Sequence, residues 1–567
     1  MSADGSFGRT QTLTSAQVLV ERLIAHGVTH VFCVPGESYL AVLDALHDAA
    51  IEVIVCRQEG GAAFMAEAYG KATGKPGVCF VTRGPGATNA SAGVHVAQQD
   101  STPMILFVGQ VDTTVRGRES FQEMDYAQVF GSMTKWASEL DDAGRTAEYV
   151  DRAFHTAASG RPGPVVLALP KNVLTEKAQN AERAPKPACE TAPSARELTR
   201  LKAMLLAAKR PMLLIGGSRW DEASRAAIHR FAERFDVPVI TSYRRAPLFD
   251  ARDPRYGGDL GLAANPKLAA RVKASDLVIA VGTRISEITS QGYGLFATHD
   301  AAPGATHPKL VHVHPGAEEL DKVFATDLAI HATPQAFAAA VDKWTGPEEA
   351  LWSEHTRDAH ADHLAWTGRA TPQPGEVNLG EIMIWLRETL PMDAVICNGS
   401  GNFAAWIHRF YRFREFGTHL ASTSASMGYG VPAAVAMQAI DRSRTVVSIN
   451  GDGDFLMNGQ EFATAVQYSL PIVVLVFDNG VYGTIRMHQE RAYPGRVSGT
   501  ALKNPDFAAY ARAFGGFGAT VERTEDFPAA FEAARASGLP SIVHVKFDAD
   551  GIAPGKTLSE IRAAARA

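Results

Sequence analysis

No two of the five cysteines form a CxxC pair, and their number is odd. Neither a disulfide framework nor a cysteine zinc site is suggested, and a reducing compartment is the natural setting. Long hydrophobic runs are missing as well. No stretch of 18 or more apolar residues occurs, so no membrane-spanning helix is expected. The N-terminal MSADGSFGRTQTLTSAQ lacks the apolar core of a signal peptide, which makes a cytoplasmic location the expectation. Excess positive charge is also absent. Lys and Arg number 55 against 61 Asp and Glu, a net charge of -6, so neither nucleic acid nor an anionic membrane is an expected partner.

What is present is an ordinary globular composition, 46% hydrophobic and 20% charged, over 567 residues. Short apolar runs alternate with helical patterns. THVFCV (29–34), IEVIVC (51–56), GVCFVT (77–82), PMILFVG (103–109) and PVVLAL (164–169) come first. PMLLIGG (211–217), VPVITS (237–242), SDLVIAVG (275–282) and KLVHVH (309–314) follow, then AVICNGSGN (394–402), TVVSINGDGD (445–454), PIVVLVFDNG (471–480) and PSIVHVKFD (540–548). Buried strands alternating with helices predict an α/β fold with parallel sheets. Residues 176–198 and 345–377 are polar and weakly periodic and read as linkers. They divide the chain into 1–180, 195–345 and 375–567, each about the size of one doubly wound domain.

The stretch GDGDFLMNGQEFATAVQYSLPIVVLVFDNGVYG (451–483) carries most information. It reads as strand, Gly-Asp-Gly turn, helix, strand, then Asp-Asn-Gly. Asp452 leaves one strand and Asn479 leaves another 27 residues later, where open α/β sheets bind ligands. Asp452 offers an anionic oxygen, Asn479 an amide oxygen and Val481 a backbone carbonyl. With two diphosphate oxygens and a water these would complete an octahedron suited to Mg²⁺. Gly451 and Gly453 let the backbone approach phosphate, and the helix from about Leu456 points its N-terminus at that charge.

This segment resembles the diphosphate-binding motif of thiamine diphosphate (ThDP) enzymes. Similarity to the acetolactate synthase-like branch of that family covers nearly the whole chain. The resemblance implies three flavodoxin-like domains: pyrimidine-binding, central and diphosphate-binding. It also implies a Glu after a strand in another domain, whose carboxyl group activates the cofactor's aminopyrimidine. Glu59 fits, in VCRQEGGAAFMAEAYGKATG (55–74). VTRGPGATNASAG (81–93) resembles the pyrimidine loop, with Thr82, Pro85 and Asn89 at contacting positions. ESFQEMD (119–125) resembles an FQE segment that would send Gln122 towards the reacting centre. In STSASMGYGVPAAVAM (422–437), Met427 is the expected wedge under the cofactor, and the Ala425 carbonyl its 4′-amino partner. NGSGNF (398–403) resembles a second diphosphate loop, with Gly401, Asn402 and Phe403. Pro35, Asp454, Tyr482 and Gly483 complete the implied contacts. Glu59 and Asp452 lie in different domains and in the family meet across a subunit interface, so a homodimer or tetramer is implied.

The resemblance implies ylide attack on the oxo carbon of a 2-oxo acid, loss of CO₂, and addition of the enamine to an acceptor carbonyl. The adjacent His pair of simple decarboxylases is absent. His95 stands alone, with packing or an interface as its expected role. Lys171 in LPKNV also matches a family Lys. Two departures separate the chain from biosynthetic acetolactate synthases. In GTRISEI (282–288) Arg284 survives, but Ile288 stands where those enzymes have a second Arg. In YGTIRMHQ (482–489) His488 takes the place of a pocket Trp, with Arg486 expected on an exposed helix face. His314 in KLVHVHPGAEE (309–319) replaces an acidic residue, which weighs against FAD in the central domain. A benzaldehyde lyase-like activity, a lyase acting on CoA-thioester or sulfo substrates, and a non-catalytic paralogue remain as alternatives; PGRVSGTAL (494–502) resembles the lyases. A nucleotide-dependent oxidoreductase is disfavoured, because no GxGxxG follows a strand.

Overall fold

The computed structural model describes residues 13–180, 184–302 and 305–567. Most of the N-terminal stretch read above for a signal lies outside these. The described chain forms two compact units. One holds the residues up to 188 except 99–101, and the other holds the remainder.

The expected three doubly wound sheets are present, each six-stranded and parallel throughout. Continuous apolar runs dictate this. Met104–Gln110, Pro164–Pro170 and Pro211–Ile215 are buried at every position, so both faces of their sheets are covered by helices. In spatial order the first sheet runs Glu52–Val55, His30–Cys33, Gly77–Val81, Met104–Gln110, Pro164–Pro170, Trp136–Glu139. The third runs His419–Leu420, Val395–Asn398, Val446–Gly451, Val473–Asp478, Ser541–Lys546, Phe517–Val521. Numbered along the chain, both read 2-1-3-4-6-5. The central sheet runs Tyr256–Leu260, Val239–Ser242, Pro211–Ile215, Leu277–Val281, Lys309–His314, Leu328–His331, an order of 3-2-1-4-5-6. That is one of the two common doubly wound orders, and the outer sheets begin in the other.

The two segments read as linkers differ in structure. In the first, Lys177–Ala178 pairs antiparallel with Leu13–Thr14, and residues 184–194 carry no helix or strand. The second is not a linker throughout. It contains the 15-residue helix Ser353–Thr367, packed against the central sheet. Thr356 donates to the Asp236 carbonyl at 2.7 Å, and Asp362 accepts from Arg271 and Lys267. Its buried stripe is His355, Ala359, His363 and Thr367, spaced four apart. Only Ala359 in that stripe is apolar, so a hydrophobic periodicity does not reveal it.

Candidate active site

In open α/β sheets, ligands bind at the switch point, where the strand order reverses beyond the carboxyl ends. In the first sheet that point lies between His30–Cys33 and Gly77–Val81. Thr82 directly follows the second of these strands, and Pro35 lies two residues beyond the first. Thr82 and Ser38 share a hydrogen bond of 2.9 Å, and Gly36 packs so closely that a Cβ there would lie 2.5 Å from the Thr82 Cβ. Glu59 is the first residue of the helix Glu59–Thr73, which Gln58 caps by accepting from the Gly61 N–H at 3.1 Å. A carboxylate in the first turn complements the helix dipole. Asn89 Nδ2 donates to Glu59 Oε2 at 3.0 Å. A Cβ on Gly86 would lie 3.1 Å from Thr82 Cγ2 and 3.4 Å from Glu59 Oε1. Glu59, Thr82 and Asn89 are therefore brought together.

The GPGATN segment is not a loop. Its residues from Gly84 onward open the helix Gly84–Asp100, with Pro85 and Asn89 exposed. Gly84 N–H donates to the Gln122 carbonyl at 3.0 Å, which brings the FQE segment beside this helix start. Gln122 is half-buried in left-handed backbone, φ 64°. The Glu123 carboxylate accepts from the Gly117 and Ser120 N–H groups and fixes that loop. His95 is exposed on the same helix, so it is not core packing, and Lys171 is exposed at a helix start.

In the third sheet the switch point lies between Val395–Asn398 and Val446–Gly451. The helix there begins at Asp452 rather than near Leu456, so the GDG residues form its first turn. Asp452 is 4% exposed. Its Oδ2 accepts from Asn504 Nδ2 at 2.7 Å and from the Gly480 N–H at 3.0 Å. Both donors also reach Asp478 Oδ1. Burial pushes the Asp452 carboxyl up to about 6; the Asn504 hydrogen bond opposes this and the neighbouring Asp478 adds to it. Burial acts on Asp478 in the same sense, but hydrogen bonds from His544 and Asn504 hold its carboxyl below the usual range.

Asp454 also braces the site. Its Oδ1 accepts from the Ser400 and Gly428 N–H groups, both at 2.9 Å, pinning two loops together. Burial raises its carboxyl to about 7, and Oδ2 has no partner. Ala425 is exposed in left-handed backbone, φ 55°. Met427 is half-buried at a cavity wall rather than in the core. Asn402 accepts from Thr484 Oγ1 at 2.8 Å. Asn479 Oδ1 accepts from the Val481 N–H at 3.3 Å, and Val481 bridges to Ala501. A Cβ on Gly453 would lie 2.5 Å from Tyr482, and one on Gly451 2.9 Å from Phe403.

A cavity of about 720 Å³ collects these groups. Gly401, Asn402, Phe403, Ala425, Met427, Gly451, Asp452, Gly453, Asp454, Asn479, Val481, Tyr482 and Gly483 all line it. Its size suits a cofactor-sized ligand. The donor set is one carboxylate, one amide and one carbonyl, which are hard oxygens suited to Mg²⁺. A dication would also relieve the burial penalty on Asp452. Among the described residues no group of three or more His, Cys, Asp and Glu is placed to hold a metal.

One expectation needs correction, and three further residues can be placed. Arg486 is not exposed: it donates to Thr500 Oγ1 at 3.1 Å and lies 3.8 Å from the buried Glu490. His488 is exposed at the cavity rim. Arg284 faces the buried Glu319 at 3.6 Å. His314 is buried, and its Nδ1 accepts from the Gly316 N–H. Sequence reading missed Asn504, and it missed the central-sheet residues Tyr243 and Arg244 that reach the cavity. No motif spacing links these to Asp452.

Comparisons with known proteins give the family. Residues 13–129, 198–341 and 399–545 match the N-terminal TPP binding, central and C-terminal TPP binding domains of thiamine pyrophosphate enzymes. The chain belongs to the thiamine pyrophosphate enzyme family, in its acetolactate synthase-like branch. It is 30% identical to the acetolactate synthase isozyme 2 large subunit of Escherichia coli (strain K12), covering 94% of this chain and 96% of that one. It is 31% identical to the acetolactate synthase large subunit of Parasynechococcus marenigrum, over 94% and 88%. Identity to the acetolactate synthase of Bacillus subtilis is 28%, over 94% and 93%. Among the described residues, no helix is long and apolar enough to cross a membrane.

Proposed function

We propose that this chain is a ThDP- and Mg²⁺-dependent carboligase that decarboxylates one 2-oxo acid and joins the remainder to a second carbonyl compound, as acetolactate synthases do. The buried Asp452 carboxylate, set beside Asn479 and the Val481 carbonyl on a cofactor-sized cavity, carries the reading. Asp452, Asn479 and the Val481 carbonyl would hold Mg²⁺, with Gly451, Gly453 and the 401–403 loop against the diphosphate. Bound thiamine diphosphate supplies a nucleophilic carbon and an electron sink for the bond to CO₂.

The chain's own groups do the rest. Glu59 holds or releases a proton at the aminopyrimidine, steadied by Asn89. Thr82, Pro85 and Pro35 would hold that ring, and Gln122 would serve the reacting carbonyl. Met427 would support the bound cofactor, with the Ala425 carbonyl as a hydrogen-bond acceptor for it. The apolar side chains of Phe403, Met427 and Ile485 on the cavity wall disfavour a charged carboxylate in the donor position. Two copies assemble so that Glu59 of one serves the diphosphate cradle of the other, in a cytoplasmic dimer or tetramer. FAD is not part of the proposal.

Fluorescence titration of the apoprotein with ThDP and Mg²⁺, followed by separate assays of CO₂ and condensation product from pyruvate, tests this. Saturable cofactor binding with both products is expected. ThDP binding with no pyruvate turnover would discard the acetolactate reading, and benzaldehyde lyase-like or thioester substrates would take its place.

A further inference from the structure

The Asp452 carboxylate is held from behind. Its Oδ2 accepts from Asn504 Nδ2 at 2.7 Å and from the Gly480 N–H at 3.0 Å. The same two donors reach Asp478 Oδ1, at 2.7 and 3.0 Å. Asn504 therefore uses its two amide hydrogens on two carboxylates. Asp478 is gripped in turn from its far side, where His544 Nε2 lies 2.8 Å from Asp478 Oδ2. An ionised carboxylate only accepts, so Nε2 carries the hydrogen. His544 is 2% exposed, on the strand Ser541–Lys546 that pairs with Val473–Asp478, and Phe507 packs edge-on against its ring at 5.0 Å. Its Nδ1 has no hydrogen-bond partner, and Asp506 is 3.9 Å away, so the ring is placed for Asp478 rather than for Asp506. One continuous run of hydrogen bonds results: His544, Asp478, Asn504, Asp452. Of these four, Asp452 alone lines the cavity.

Burying a histidine and a second carboxylate costs desolvation that an apolar pair of similar volume avoids. Neither reaches the cavity, so what the pair supplies is orientation. A carboxylate can swing about its last side-chain bond. With Oδ2 engaged by two fixed donors, Asp452 presents Oδ1 in one direction. That suits Mg²⁺, which demands near-ideal octahedral geometry, more than Ca²⁺, which accepts varied angles and more ligands. We propose that His544 is a positioning residue for the cation site: acting through Asp478 and Asn504, it fixes the direction of Asp452 Oδ1 and so sets a preference for Mg²⁺ over larger dications. His544 itself would touch neither the cation nor the cofactor. The role rests on the ThDP- and Mg²⁺-dependent reading above.

The full-length protein, stripped of cation and held at saturating ThDP, is titrated with MgCl₂ and separately with CaCl₂ while its intrinsic fluorescence is followed. His544→Phe keeps a ring against Phe507 and loses the donor. Its half-saturating Mg²⁺ concentration should rise about 10-fold. The Ca²⁺ value should rise only about twofold, so the preference for Mg²⁺ falls about 5-fold. His544→Gln, whose amide N–H can still donate, should stay within about 3-fold of the parent for Mg²⁺. In Asn504→Ala the run is already cut, so adding His544→Phe should raise the Mg²⁺ value no further. A protein merely loosened by the substitution would lose both cations alike, and its losses would add. An unchanged Mg²⁺ titration in His544→Phe, an equal loss for both cations, or additive losses in the double variant overturns the role. Should His544→Phe fail to fold, His544→Leu is read in the same titrations and decides. A parent protein with no cation-dependent ThDP signal removes the cofactor reading itself, whereas a parent that titrates normally beside unshifted variants removes only the role of His544. Absence of pyruvate turnover alongside the expected shifts removes the reaction and keeps the role.

Discussion

The first and third sheets share one strand order, 2-1-3-4-6-5, yet their switch points carry opposite chemistry. At the first, Glu59 is half-exposed, held by one side-chain hydrogen bond from the exposed Asn89. At the third, Asp452 is almost wholly buried, braced by Asn504 and the Gly480 N–H, and raised to about 6. The same topology therefore yields one carboxyl group open to a ligand, and another whose charged form burial disfavours. The difference predicts that one half governs turnover and the other governs cofactor retention.

The sharpest test pairs the two carboxyls. Glu59→Gln should lower kcat by about 10³-fold with little change in ThDP affinity, the range expected for loss of a positioned proton-transfer group. Asp452→Asn should instead weaken Mg²⁺-dependent ThDP binding by about 10²-fold, read by fluorescence titration. If both variants changed the same parameter, the division would be broken. A second pair compares rigidity. A Cβ on Gly399 would sit 1.9 Å from Asp454 Oδ2 in a buried site with nowhere to move. Gly399→Ala should cost about 3 kcal/mol of stability and abolish ThDP binding. At Gly86 the added methyl meets Thr82 at 3.1 Å, on a half-exposed wall. Gly86→Ala should leave Tm within a few degrees and slow turnover only several-fold, by nudging Glu59 and Thr82.

How far the sequence could be read follows the same division between buried and peripheral. The strands anticipated from apolar runs include every interior strand of the three sheets. Those not anticipated, Trp136–Glu139, Tyr256–Leu260, Leu328–His331, His419–Leu420 and Phe517–Val521, are all edge strands. An edge strand pairs on one side only and is often short or half-exposed, so it needs no continuous apolar run. Leu328–His331 alternates buried and exposed, and His419–Leu420 has two residues. At the site, the GDG–Asn spacing was legible because a short helical stretch, broken at Gly459–Glu461, and one strand join the two ends. Asn504, Tyr243 and Arg244 were not, because they reach Asp452 and its cavity only through the folded chain.

Asn504 gives a smaller effect that sharpens the third-sheet half of the comparison. It is the shared donor to Asp452 and Asp478, 2.7 Å from each. Asn504→Ala removes the group that orients the carboxylate without removing the carboxylate itself. Mg²⁺ affinity should fall by about 10- to 100-fold, with kcat at saturating cofactor nearly intact. A kcat loss as large as that of Glu59→Gln would mean that the two halves are not separable.

The smallest effect belongs to a helix packed on the central sheet, which serves as a control because it lines neither switch point. His363, on the helix Ser353–Thr367, is 7% exposed, lies 4.9 Å from the Tyr256 ring, and has no partner for Nε2. Burial, then the charge of Arg412, lowers its pKa to about 3. A histidine lowered in the folded state resists protonation there while the unfolded chain accepts it near 6.5. Its contribution is therefore fully present above about pH 6.5 and is lost as pH falls towards about 3. At pH 5 the loss is about 2 kcal/mol, a Tm drop of a few degrees between pH 7 and pH 5. His363→Phe keeps a ring against Tyr256 and cannot be protonated, so its Tm should fall less over that interval. Because His363 touches neither switch point, ThDP affinity and kcat in the variant should match the parent at pH 7. An equal pH sensitivity in His363→Phe would move the acid-labile group elsewhere, with His408 beside the cavity, also held near 3, next to be tested.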